Sequence, residues 1–157
     1  MKYFEELAIG DVDEIGSFIF SREEIIRFAT AFDPQPFHVD EAAAAASLYG
    51  GLIASGWHVA SIWMKLMVTH RMAERAQAEV AGNPLVDLGP SPGFRNMVWA
   101  RPVRPGDELR YSVEITAKKE SASRPEWGIV SMLSSALNQR DERVFQFDGV
   151  VFWGRRS

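Results

Sequence analysis

The sequence predicts an α+β fold: one domain spanning residues 1–157, with a mostly antiparallel sheet wrapped around one long central helix. Three observations carry this expectation. The segment from Ser55 to about Val80 reads as one helix, apolar nearly all round in its first half. Four strand-like segments follow in succession between Phe94 and Trp153. Only one strand and two short helices precede the long helix. A sheet with an apolar face and a helix with apolar residues on most sides each need the other as cover.

The elements follow in order. Val12 to Phe20 suits a strand. "SREE", Ser21–Glu24, has the spacing of a capping box, with Ser21 accepting from the helix start and Glu24 reaching back. The helix it opens carries Ile25, Ile26, Phe28, Ala29 and Phe32. Pro34 ends it, because the residue before a proline is pushed out of the helical region. Asp40 to Gly51 reads as a second short helix, capped by Asp40, built on alanines and closed by Gly50 and Gly51. The long helix turns polar at His70, Arg71, Glu74 and Arg75, so its second half should emerge into water. The stretch 81–93 is rich in Gly and Pro and reads as a loop. Phe94–Ala100 is the next strand. After a turn at Pro105-Gly106-Asp107, Leu109, Tyr111, Val113 and Ile115 alternate with Arg110, Ser112, Glu114 and Thr116. Gly128–Asn138 and Arg143–Trp153 complete the sheet, with Gly149 a candidate bulge.

Composition narrows the function. A hydrophobic fraction of 46% supports a sizeable core. A net charge of −4, with basic clusters no larger than Arg101 with Arg104 or Lys118 with Lys119, argues against a nucleic-acid partner. With no cysteine, thiol nucleophiles, disulfides and thiolate metal sites are excluded. Three histidines without HxH or HxxxH spacing give no metal site. The acidic start "MKYFEELAIGDVDEIG" lacks a leader-like apolar region, and His58, Ser61 and Lys65 interrupt the longest apolar stretch. No membrane association and a cytoplasmic location are expected.

"FDPQPFHVD", Phe32–Asp40, places Asp33 and His38 five residues apart where neither helical nor strand periodicity is visible. Pro34 and Pro36 stiffen the segment, and Phe32 and Phe37 are expected to anchor it in the core. A carboxylate and an imidazole held rigidly on one water suit general acid–base chemistry. The plainer alternatives are a turn or helix-end role for Asp33 and an ordinary half-buried His38. "ASGWH" puts Gly56 at the start of the long helix. N–H groups there carry partial positive charge and suit a developing oxyanion, and a glycine lets a carbonyl approach. Alternatively, Ser55 caps the helix and Gly56 only permits close packing. His58 and His70 read as structural or solvated.

These residues resemble a known family. "FDPQPFHVDEAAAAASLYGGLIASGWHVASIW" is similar to the hydratase motif of MaoC-like dehydratases, Asp-x-Asn-Pro-x-His-x-Asp followed by a small-residue helix. "WARPVRPGDELRYSVEIT", Trp99–Thr116, is similar to that family's Trp-x-x-Pro-Val-x-x-Gly-Asp segment. The resemblance implies a hot-dog fold and reversible, stereospecific addition of water to a trans-2-enoyl thioester, giving an (R)-3-hydroxyacyl thioester. It implies that Asp33 and His38 form the acid–base dyad and that the Gly56 N–H polarises the thioester carbonyl. It also implies no metal or redox cofactor, coenzyme A as part of the substrate, and a homodimer or dimer of dimers. Phe37, Ser55, Trp57 and Met64 are expected to contact an acyl-CoA or acyl-carrier thioester, and Arg101 and Arg104 its phosphates.

Three positions depart from the family pattern. Gln35 stands in place of the usual Asn. Ser55 stands before Gly56 where many members carry His. Met64 stands eight residues after Gly56, where some hydratases place a hydroxyl, with Ser61 one helical turn earlier. A hot-dog thioesterase and a non-catalytic acyl-CoA-binding or assembly subunit are the competing readings.

Overall fold

The computed structural model describes residues 1–156. A short 3-10 turn, Phe4–Glu6, leads into β1 (Val12–Ile19). Three helices follow: α1 (Arg22–Phe32), α2 (Pro36–Val39) and α3 (Glu41–Ala46). The long helix α4 is Gly56–Val80. Then come β2 (Gly93–Trp99), β3 (Glu108–Glu120), β4 (Trp127–Leu137) and β5 (Arg143–Gly154). The strands form one five-stranded sheet in the order β1-β3-β4-β5-β2, antiparallel throughout. The expected α+β architecture is present, with α4 against one face of the sheet.

The alternation read in β3 sets that face. Leu109, Tyr111, Val113 and Ile115 are buried, while Arg110 and Glu114 point outward. Phe145 and Phe147 of β5 and Val59 and Ile62 of α4 close the same core with Phe20 and Ile25. The Tyr111 hydroxyl donates to the Val59 carbonyl at 3.1 Å, which ties the middle of the sheet to α4. At the far end, Phe4, Val86, Val130 and Trp153 form a second cluster. Arg71 does not emerge into water as expected: its guanidinium pairs with Asp13 at 2.9 Å and lies over the Trp153 ring.

Several other local expectations are corrected. Ser21 caps α1 by accepting from the Glu24 N–H, but Glu24 pairs with Arg27 rather than reaching back, so half of the capping box forms. The α3 helix stops at Ala46, short of Gly50, because the Ser47 hydroxyl takes up the Ala44 carbonyl. Gly149 holds regular register with Met132 and Phe94. The irregularity lies on β2 instead, between Arg95 and Val98, where Asn96 adopts φ 53°. The first half of α4 is not covered on most sides. Trp57 is 56% and Met64 53% exposed, because the sheet closes only one side of the helix.

His58 is buried beneath α1, stacked on Phe28 at 4.5 Å and edge-on to Phe20 at 4.9 Å. Burial pushes its pKa from 6.5 down to about 4, with the Glu24 carboxylate pulling upward and Arg27 adding to the depression. The unfolded chain therefore takes up a proton that the folded chain refuses. Stability should fall as pH drops from 6.5 towards about 4. His58→Phe should remove up to ~3 kcal/mol of that acid-dependent loss, measured by urea unfolding of both proteins across this range.

Candidate active site

The segment between α1 and α3 is ordered by its prolines and its ends. Asp33 is the C-cap of α1, its N–H donating to the Ala29 carbonyl at 2.8 Å. Pro36 then occupies the first position of α2, where its missing N–H costs nothing because that group has no partner inside a helix. The expected irregular stretch thus contains one helical turn, and that turn carries His38. Phe37 packs against the core from a half-buried position, its ring 5.1 Å from that of Tyr49. Phe32 does not anchor anything; it is 74% exposed and leans on Phe28.

Asp33 and His38 converge. Asp33 Oδ2 lies 3.4 Å from His38 Nε2. The His38 ring is 4% exposed, and its Nδ1 is 2.8 Å from the Ile53 carbonyl. A carbonyl can only accept, so Nδ1 carries the proton in that bond and, in neutral histidine, Nε2 presents a lone pair. That lone pair faces the Asp33 carboxylate, leaving two acceptors that one donor molecule can join.

Asp33 is itself held from both sides. The Ser55 hydroxyl donates to Oδ2 at 2.6 Å, and the Gln35 amide donates to Oδ1 at 2.8 Å. Burial raises the carboxyl pKa, but these two bonds, with the attraction of the His38 ring whenever it is protonated, outweigh it and hold the group below its ordinary value. Asp33 is therefore an anion at neutral pH. Gln35, a departure from the family pattern, is thus a direct holder of Asp33; its amide type was the signal, but its spacing alone does not show the contact.

Ser55 is fully buried and accepts from the Trp57 N–H at 3.2 Å, so it is the N-cap of α4. It stands behind Asp33 and does not line the cleft. Gly56 follows as the first helical residue. Its carbonyl accepts from Trp99 Nε1 at 2.8 Å, and a Cβ at this position would lie 2.8 Å from the Trp99 ring. Close packing is therefore one reason for glycine here, through a contact with β2 that the sequence did not reveal. The Gly56 N–H belongs to the first turn, whose donors a helix cannot satisfy itself, and among the described residues it has no acceptor.

A cleft of about 530 Å³ collects Asp33, His38, Gly56, Trp57, Trp99 and Arg101. Met64 does not belong to it. Two turns further along α4, Met64 lines a separate cavity of about 730 Å³, which shares Trp57 with the cleft. Arg101 is exposed at the cleft and 3.6 Å from Glu142. Arg104 lies outside the cleft lining and is engaged elsewhere, donating to the Tyr49 carbonyl at 2.6 Å. Lys118 is occupied by the carbonyls of Phe4 and Leu7.

The sequence profile of the MaoC-like domain matches residues 11–131, a span that includes the cleft residues of the loop and of α4. The chain belongs to the MaoC-like domain family. Among solved structures, a MaoC-like dehydratase from Rhodospirillum rubrum is 38% identical with a TM-score of 0.82, over 100% of this chain and 99% of that one. The YdeM protein of Bacillus subtilis is 34% identical over 90% of this chain and 92% of its own length. An (R)-hydratase from A. caviae involved in PHA biosynthesis shares the fold at 22% identity, with a TM-score of 0.64 over 94% and 97% of the two chains. The MaoC-like fold of this chain, a sheet curled on one long helix, is the hot-dog fold.

Ser55→Ala removes both the α4 cap and the shorter of the two bonds that hold Asp33. Unfolding free energy should drop by about 1–2 kcal/mol. The Asp33 pKa should rise in an NMR carboxyl titration, because a bond favouring the anion is lost. An unmoved Asp33 titration would mean that Ser55 does not hold the anion.

Proposed function

We propose that this protein catalyses the reversible addition of water to a trans-2-enoyl thioester, yielding a 3-hydroxyacyl thioester. The observation that supports it best is the pair of facing acceptors, Asp33 Oδ2 and His38 Nε2, set 3.4 Å apart in a cleft shared with the first N–H of α4. A water placed there donates one hydrogen to each acceptor and turns its oxygen lone pair to the substrate. The family supplies the reaction class, and the A. caviae (R)-hydratase shares the fold.

In the proposed hydration, the water oxygen bonds C3 of the enoyl group while one water proton passes to His38 Nε2. The double-bond electrons move through C2 to the thioester oxygen. Charge on that oxygen grows in the transition state, so a fixed donor such as the Gly56 N–H stabilises it more than the ground state. The anionic Asp33 holds the second hydrogen of the water and stabilises the imidazolium beside it. The imidazolium then returns its proton to C2, so that one water has been added and the site is restored. Dehydration is the reverse path. No metal or redox group takes part in this proposal, and coenzyme A or an acyl carrier is only the handle of the substrate.

The acyl group is proposed to leave the cleft past Trp57 and enter the larger apolar cavity beside Met64. Arg101, exposed at the cleft, is proposed to meet a phosphate of the handle. A second copy of this chain is proposed to cover the exposed apolar strip formed by Trp57, Met64 and Val68 on α4 with Phe94 on the edge strand β2. A patch of this kind on a sheet edge marks an association surface.

Hydration is followed as loss of enoyl absorbance with trans-2-enoyl-CoA substrates of graded length. Asp33→Asn and His38→Ala should each lower kcat/KM at least about a hundredfold while circular dichroism stays native. Retained turnover in both would sink the assigned dyad, and thiol release without hydration would point to a thioesterase. Val68→Arg should convert a dimer to monomer in light scattering, and an unchanged mass would place the interface elsewhere.

A further inference from the structure

The cavity of about 730 Å³ lies between α4 and the β4, β5 and β2 side of the sheet, with a largely apolar wall that includes Met64, Met67, Met97, Met132 and Phe147. Two residues of that wall carry buried polar atoms without a partner. Ser134 is 1% exposed and its Oγ makes no hydrogen bond; Trp63 Nε1 is buried and equally unpaired. The two residues meet around one ring. Ser134 is the cross-strand neighbour of Phe147, and Trp63 packs edge-on against Phe147 at 4.6 Å.

Other hydroxyls of the wall and core are engaged. Ser61 donates to the Trp57 carbonyl at 2.7 Å, Ser91 to the Gly93 carbonyl at 3.3 Å, and Tyr111 to the Val59 carbonyl at 3.1 Å. Among the described residues, the remaining buried unpaired side-chain atom, His58 Nδ1, belongs to a ring enclosed by Phe18, Phe20 and Phe28 and takes no part in the cavity. The unpaired buried polar atoms of the cavity wall, among the described residues, therefore belong to two residues that both neighbour Phe147.

A buried donor without an acceptor has lost its water and gained nothing, and alanine or phenylalanine would avoid that loss with similar shape. A ligand oxygen that accepts from either group recovers part of it. A plain alkyl chain leaves both unpaired, and discrimination by unpaired polar groups exceeds what an apolar wall achieves by shape. Trp63 stands seven residues beyond Gly56, roughly 10 Å along α4, so the recognised atom belongs to the distal part of an acyl group. We propose that this cavity selects acyl chains bearing an oxygen acceptor, such as a ketone, hydroxyl or ether, in their distal part over plain alkyl chains. The inference rests on the cleft being a thioester site, and it names the substrate class of that site.

Titration calorimetry with saturated acyl-CoA pairs tests it without turnover. Each pair compares an alkyl chain with its keto-substituted counterpart, the ketone being moved one carbon at a time along the distal half. At one position the keto chain should bind about tenfold more tightly. Ser134→Ala, which removes no hydrogen bond of the fold, should bring that ratio close to one without lowering the unfolding midpoint, and Trp63→Phe should do the same. Equal affinities in every pair, tighter binding of the alkyl chains, or no binding of either overturns the inference. Hydration assays on the matching enoyl chains separate the two readings. Hydration with no keto preference overturns this inference alone, whereas a keto preference in binding with no hydration overturns the proposed reaction alone.

Discussion

The Ser55 hydroxyl accepts from the Trp57 N–H at 3.2 Å and lies 2.6 Å from Asp33 Oδ2. A hydroxyl has one proton and an N–H can only donate, so the proton of Ser55 is committed to Asp33. The cap of the long helix and the anchor of the loop that carries Asp33 and His38 are thus one group. Asp33 is also the C-cap of α1, which makes it the point where the end of one helix meets the start of another. The extended run Leu52–Ser55 that carries this contact is buried, and it is fixed by Ala54 N–H donating to the Val103 carbonyl at 2.8 Å. The same run supplies the Ile53 carbonyl that sets the tautomer of His38. Distances between the Asp33–His38 pair and the helix N-terminus therefore depend on four consecutive buried residues.

Much of this was legible in the sequence where a residue type has one physical use. Ser21 before an apolar helix, Asp40 before an alanine run and Ser55 before Gly56 each cap the helix they precede. The alternation in β3 and the length of α4 followed from periodicity, and the convergence of Asp33 and His38 from a spacing that resembles a known motif. Contacts between distant residues were not legible. Gln35 read only as a departure from the usual Asn, yet its longer side chain is what reaches Asp33 Oδ1. Trp99 read as part of a strand motif, and its contact with Gly56 joins residues 43 apart. The exposure of Phe32 was misjudged because an aromatic residue beside a proline loop reads as an anchor, and only its position on the outer side of α1 decides otherwise.

Arg104 and Lys118 show why charge alone predicts poorly. Arg104 was expected to meet a phosphate and Lys118 belongs to a basic pair, yet each spends its donors on backbone carbonyls of its own chain. Arg104 ties the turn after α3 to the segment before β3, and Lys118 ties β3 to the N-terminal turn. Three or five donors on one side chain can satisfy carbonyls that no strand or helix reaches. Arg101 differs because its ion pair with Glu142 is long and both groups meet solvent, so a phosphate can displace the carboxylate at little cost.

The open side of α4 gives the fold its two-part character. A sheet of five strands covers one side of a helix, and β2, paired only with β5, leaves its other edge free. The apolar residues of α4 that the sheet does not reach are then either exposed or face a cavity. Met64 does both, being 53% exposed while lining the larger cavity. A chain that packed α4 completely would have a denser core and no space beyond Trp57. Incomplete burial of the helix is therefore the structural condition for both spaces, the cleft at the helix start and the apolar cavity further along, which share Trp57.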